Sequence, residues 1–298
     1  LAAAIYKQGE QATAAGDHRA AAGHYLRVAT ATPTSGIRPV AEYDAGAALI
    51  RLEDWAAAAS VLETFRQSHP AHELSQQATK QIATAYREQG ADERAAAEYE
   101  RVAEEATDAE LRREALLLAA ELHENSQGLQ RAIAVYERYL SQYPQPLELA
   151  VETRFKLAKL HEKSLDEDAY HDELRRIVSI DAGSGGSRTP RIRYLAAQSA
   201  LVLSEGLYER FLAVELVLPF EKSLRNKRAR MDEALKALEA LVDYEVADVT
   251  AAATFYMAEI YSDFSRSLLA SERPADLDAT QRSAYALVLE AEAFPLEE

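Results

Sequence analysis

The stretch Ala132-Ile-Ala-Val-Tyr136-Glu-Arg-Tyr139-Leu-Ser-Gln-Tyr143-Pro144 returns towards the N-terminus at intervals of 37 residues. Its first alanine maps onto Ala95, Ala58 and Ala21, and Tyr136 maps onto Tyr99, Leu62 and Tyr25. Tyr139 maps onto Val102, Phe65 and Val28, and Pro144 onto Thr107, Pro70 and Pro33. A fixed period of this length marks stacked copies of one supersecondary unit, each burying its apolar face on the next. Within a copy the apolar residues fall at i, i+4 and i+7, one face of a helix.

A second, earlier helix completes each copy. In the first, Ala2 to Ala15 is predicted helical, Gly16-Asp17 turns the chain, and His18 to Thr30 is helical again. Glycine tolerates the positive φ that such a turn needs, and Asp can accept a hydrogen bond from the free amides of the following helix. The first helices also repeat, with Gly9, Gly46, Ala83 and Ala120 at the same interval. A small residue recurring there predicts a close crossing of two helices.

Small residues at two positions, a large apolar or aromatic residue between them, and a closing proline resemble the tetratricopeptide repeat family. The small pairs are Gly9 with Ala21, Gly46 with Ala58, Ala83 with Ala95, and Ala120 with Ala132. Departures are visible: the period is 37 rather than the usual 34, Ala12 and Leu49 stand where a tyrosine is expected, and Thr107 replaces a proline. The resemblance implies an all-α, right-handed α-solenoid of about five helical hairpins, followed by a non-repetitive helical region. A fifth, weaker copy has Leu157-Ala158 at the small position and Leu174 and Ile177 in its second helix, with Tyr170 where alanine is expected.

The segments Phe65-Arg-Gln-Ser-His69-Pro70 and Tyr139-Leu-Ser-Gln-Tyr143-Pro144 look like repeats of bacterial periplasmic and outer-membrane-associated tetratricopeptide proteins of outer-membrane assembly and Tol-Pal coordination. The C-terminal part is similar in general character to those of the Tol, Ton and gliding-motility systems. These resemblances imply a periplasmic or outer-membrane-associated location, with the cytoplasm as the alternative. The absence of cysteine fits an envelope location and removes disulfides and thiolate sites. The chain starts at Leu1 without Met, which is expected of an excised or processed fragment.

The formal net charge of −16 opposes nonspecific binding to nucleic acid. Between Arg188 and Arg230, however, nine Lys or Arg face four Glu, so a basic region persists in an acidic chain. The longest apolar run, near Phe211 to Phe220, contains Glu215 and falls well short of the ~20 residues of a membrane helix. No transmembrane segment is expected, and membrane association would be peripheral.

Composition and spacing divide the chain into a repeat array at 1–181, a Gly/Ser-rich break at 182–190, and a helical region at 191–298 that packs on or caps the array. In the last, helices are predicted near 191–206, 221–242, 246–271 and 278–293, punctuated by Pro219, Pro274 and Pro295. The third of these carries Phe255, Tyr256, Tyr261 and Phe264 and is expected to be the main buried helix of its half.

His123-Glu124 and His161-Glu162 lack the second histidine of a His-Glu-x-x-His zinc helix, and both histidines occupy a slot where the repeat expects tyrosine. Gly183-Ser-Gly-Gly186 lacks the Lys-Ser/Thr pair of a P-loop and reads as a linker. No metal site, cofactor site or catalytic constellation is expected. In the resembled fold the first helices line a concave groove, which implies Tyr6, Tyr43, Lys80, Arg87, Leu117, Phe155 and Lys159 as residues for a protein or peptide partner, or for packing between repeats. Thr84 and Ala47 stand where a carboxylate-clamping asparagine would be needed. The basic run Lys222, Arg225, Lys227, Arg228 and Arg230 has two readings: internal pairing with acidic residues, or a solvent face for an acidic peptide, lipid headgroup or glycan anion. The expected function is a non-catalytic scaffold of an envelope complex. The alternative is a module binding an anionic lipid or glycan through residues 222–230.

Overall fold

A computed structural model describes residues 1–273 and 277–293. They are all-α, with fourteen α-helices and one short 3-10 turn among the described residues. Pro274 and Pro295, expected to punctuate helices, lie outside them. Two compact units result, Leu1–Pro144 and Gln145–Glu298.

The first unit is four helical hairpins: α1 (Ala2–Ala14) with α2 (His18–Ala31), α3 (Arg38–Arg51) with α4 (Trp55–Ser68), α5 (Ser75–Glu88) with α6 (Asp92–Glu105), and α7 (Ala109–Asn125) with α8 (Leu129–Gln142). The second helices begin at 18, 55, 92 and 129 and end at 31, 68, 105 and 142, so the 37-residue period of the sequence is the period of the backbone. Each helix packs on the next in sequence, and the first helices α1, α3 and α5 also touch in turn.

The turn inside each hairpin is equally regular. Gly16, Glu53, Gly90 and Gln127, spaced by the same 37 residues, all have φ between +57° and +75°. The residue after each is the N-cap of the next helix; at Asp17 and Asp54 its carboxylate accepts the amide hydrogens of Ala20 (2.9 Å) and Ala57 (3.3 Å). The close crossing expected at the small residues is also present. A Cβ on Gly9 would run into the ring of Tyr25, and one on Gly46 would stand 2.5 Å from Leu62 Cδ2. Ala83 and Ala120 are fully buried at the equivalent points.

The second unit opens with α9 (Leu147–Lys163) and α10 (Glu167–Gly183), the decaying fifth hairpin. One extra residue in the preceding loop shifts its register to 38, which brings Ala158 rather than Leu157 to the small position. Leu165, with φ +61°, takes the turn position. The Gly/Ser-rich stretch is a turn within this unit: α10 and α11 (Pro190–Leu212) pack together across it. Arg188 closes it with two hydrogen bonds to Asp181, at 2.7 and 2.8 Å, and lies over the ring of Tyr244.

Beyond it come α12 (Phe220–Val242), α13 (Ala247–Ala270) and α14 (Ala279–Ala293). The 37-residue period is lost, because α11 to α13 have 23 or 24 residues. Their apolar core joins Phe211, Leu235, Leu238, Leu241, Ile260 and Phe264. The expectation for α13 needs correcting. Its buried stripe is Val249, Ala253, Ile260, Phe264 and Leu268, whereas Phe255 is 60% exposed and Tyr261 is also exposed. Phe255 lies two residues from Ala253, about 200° around the helix, and so faces away from the core.

Candidate functional site

Tyr6, Tyr43, Lys80 and Leu117 occupy one position in four successive first helices. In the first two helices the side chain is spent on the neighbouring repeat. Tyr6 Oη donates to Asp44 Oδ2 at 2.6 Å, and Tyr43 Oη accepts from Gln81 Nε2 at 2.8 Å; both partners lie 38 residues ahead. Tyr43 is moreover buried and packs edge-on against Phe65. These tyrosines tie adjacent hairpins together.

The ladder stops at the third helix. Position 80 is lysine, and the residue 38 ahead is Leu118, which offers no polar partner. Lys80 is exposed and pairs with no carboxylate among the described residues. It borders a cleft of about 430 Å³ between α3 and α5, formed by Ala47, Ile50, Arg51, Gln77, Gln81 and Thr84 beside it. Arg51, the last residue of α3, is likewise exposed without a carboxylate partner among the described residues. A cleft with an apolar wall at Ala47 and Ile50, amide and hydroxyl groups, and two uncommitted cations is suited to an extended chain carrying a carboxylate.

Burial governs the electrostatics at the start of the ladder. Desolvation pushes the Asp44 carboxyl above its ordinary value of 3.8, with a further push from Glu10; the hydrogen bond from Tyr6 acts in the opposite sense. The Tyr6 hydroxyl is raised in turn, first by burial and then by its bond to Asp44.

The other expected groove residues are placed differently. Arg87 is exposed but bound to Glu88 at 2.9 Å, and Leu117 is half-buried on α7. Phe155 and Lys159 belong to the second unit. There the Lys159 ammonium bonds Glu162 at 2.9 Å and lies 5.9 Å from the ring centre of Phe155 and 5.5 Å from that of Tyr170. Arg51, Gln77 and Gln81 were not among the sequence candidates. Gln81 had a readable signal, since it stands 37 residues after Asp44, the partner of Tyr6.

The His123 slot also resolves. Tyr86 Oη donates to Glu63 Oε1 at 2.7 Å, and 37 residues later His123 Nε2 meets Glu100 Oε1 at 2.9 Å. His123 thus makes the structural contact of the tyrosine it replaces. No group of three or more His, Cys, Asp or Glu that could hold a metal occurs among the described residues.

The basic run is not one surface. Lys227 is 1% exposed: its ammonium bonds Asp263 Oδ2 at 2.8 Å and the Val214 carbonyl at 3.0 Å, and lies 4.4 Å from the ring centre of Phe211. Arg230 pairs with Glu233 at 2.7 Å, and Arg228 is also engaged. Lys222 and Arg225 remain exposed, with no carboxylate partner among the described residues. Of the two readings of this run, internal pairing holds for Lys227 and Arg230 and a solvent face for Lys222 and Arg225, because Lys227 falls on the apolar side of α12. Among the described residues no helix is long and apolar enough to cross a membrane.

No curated protein matches the chain. Among solved structures, similar chains include a tetratricopeptide repeat protein from Parabacteroides merdae (12% identity, 97% of this chain and 98% of that one, TM-score 0.39). Others are a TPR repeats protein from Bacteroides fragilis (11%, 87% and 99%, 0.42) and the TPR2AB domain of yeast Sti1 in complex with pHSP90 (13%, 89% and 98%, 0.32). At this identity and TM-score the likeness says nothing of partners. In sequence, residues 114–146, which span most of α7 and all of α8, match the tetratricopeptide repeat family. The chain therefore carries a tetratricopeptide repeat, built on the same small-residue crossing and hairpin turn that recur throughout its first unit.

Proposed function

We propose that this protein is a non-catalytic scaffold that holds a partner polypeptide along the first helices of its repeats, with the α3–α5 cleft as the principal contact. The observation that supports this most is the break in the tyrosine ladder: the position that ties repeats together at Tyr6 and Tyr43 presents, at Lys80, a cation with no tie to make. Arg51 supplies a second cation on the same cleft. The partner is an extended segment with a side-chain or terminal carboxylate, held by charge-assisted hydrogen bonds. The envelope setting belongs to the proposal too; it rests on the aromatic-proline repeat ends and the lack of cysteine. Fractionation of cells carrying the native gene tests it, and a purely cytosolic product would rule it out.

The binding claim is tested by selecting peptides from a random displayed library on the whole chain, then measuring the best binders against Arg51→Glu/Lys80→Glu. The proposal expects enrichment of acidic sequences and at least a ~tenfold loss of affinity in the variant, with unchanged helicity. Undiminished binding would exclude the cleft.

A further inference from the structure

The second unit contains a larger groove, about 1140 Å³, where the segment between α11 and α12 runs beside the start of α12. Its floor is apolar and open: Val217 is 43% exposed and Leu218 49%. Lys222 and Arg225, one turn apart on α12, stand at its edge. Glu215 also lines it.

An exposed apolar segment of this kind would ordinarily collapse onto the nearest apolar surface, yet this one is pinned from three sides. The buried Lys227 ammonium donates to the Val214 carbonyl. Ser223 Oγ donates to the Val217 carbonyl at 2.7 Å, and the Leu218 amide donates to Glu272 at 3.2 Å. The groove is therefore formed before anything enters it, which reduces the ordering cost of binding. Its volume exceeds the ~300–1,000 Å³ of ordinary small-molecule pockets and suits a stretch of polypeptide.

We infer that this groove is a second binding site, for an acidic amphipathic peptide whose apolar side chains cover Val217 and Leu218 while its carboxylates meet Lys222 and Arg225. The concave shape favours a peptide over a membrane. The chain's net charge of −16 also opposes approach to an anionic bilayer far more than to a short peptide. The site does not depend on the cleft of the first unit.

The test is fluorescence anisotropy with the whole chain and a short labelled peptide in which leucine pairs alternate with glutamates. Its glutamine counterpart is the second probe. Saturable binding is expected, weakened at least ~tenfold by Lys222→Glu/Arg225→Glu, by Val217→Ser/Leu218→Ser, and by replacing the peptide's glutamates. Lys236→Glu, on α12 outside the groove, is the control for added negative charge elsewhere on the same helix and should change affinity less than ~twofold. Equal affinity for the glutamine peptide, or no effect of either double variant, overturns the inference. So does sedimentation with phosphatidylglycerol vesicles without peptide binding, or a self-associated dimer that Lys222→Glu/Arg225→Glu dissolves.

Discussion

Gln81 Nε2 donates a 2.8 Å hydrogen bond to Tyr43 Oη across the boundary between two hairpins, at the position where Tyr6 binds Asp44 one repeat earlier. The contact belongs to the interface between successive hairpins of the first unit, so it reports on repeat stacking. Tyr43→Phe should therefore cost about 1 kcal/mol in urea unfolding, and adding Gln81→Leu should recover part of that loss by removing the stranded amide. Additive losses in the double-mutant cycle would show that the two groups are not coupled.

The Tyr6–Asp44 tie has a pH signature. Asp44's folded-state pKa is raised, chiefly by burial, so the folded chain holds that proton more tightly than the unfolded chain. Its ionisation costs stability as pH rises above the ordinary 3.8 and through the raised folded-state value. Asp44→Asn should therefore be more stable than the parent near pH 7, with the advantage fading as pH falls towards about 3.5. A variant less stable at neutral pH would mean that the bond from Tyr6 outweighs burial.

The hairpin turns contain a visible departure from ideal chemistry. Glu53, Gln127 and Leu165 hold the left-handed backbone that Gly16 and Gly90 hold at equivalent turns. Leu165→Gly, at a side chain 83% exposed, should stabilise the chain by about 0.5–1 kcal/mol, and Gly90→Ala should destabilise it by a similar amount. Thermal melting of the two variants gives the signs directly.

Gly46→Ala tests the helix crossing. Alanine is the better helix former by about 1 kcal/mol, but its Cβ would stand 2.5 Å from Leu62 Cδ2 in a fully packed site. Net destabilisation of about 1–2 kcal/mol is expected, and Leu62→Val should relieve part of it in the same background. A stabilised Gly46→Ala would show that the crossing has room to spare.

Lys227 is the most demanding polar burial in the second unit. Lys227→Met removes a cation that holds both Asp263 and the Val214 carbonyl, and should cost about 2–4 kcal/mol. It should also expose residues 213–219 to limited proteolysis. A stable variant with an equally resistant segment would contradict the role given to this side chain.

These relationships were legible to different degrees. Helix order, the period, the close crossings at Gly9 and Gly46, and the tyrosine slot filled by His123 could be read because each is a recurrence, and recurrence survives without coordinates. Lys227 kept a solvent-facing reading beside internal pairing because its neighbours are basic. Its own phase told otherwise: Phe220, Leu224, Met231, Ala234 and Leu238 share its stripe at spacings of three and four. Phe255 was misread for the same reason, aromatic character being given more weight than helical phase. The α3–α5 cleft was half visible. Lys80 follows from the first-helix position, but the engagement of Tyr43 depends on a partner 38 residues away, which the 37-residue spacing singles out only once Asp44 is known to bind Tyr6.

The most direct test of the scaffold reading is an amide chemical-shift map of the chain titrated with the tightest acidic peptide selected on it. The account predicts that the largest changes fall on residues 47–51 and 77–84, and that Arg51→Glu/Lys80→Glu abolishes them. Changes confined to the second helices α2, α4 and α6, or unaltered in that variant, would contradict it.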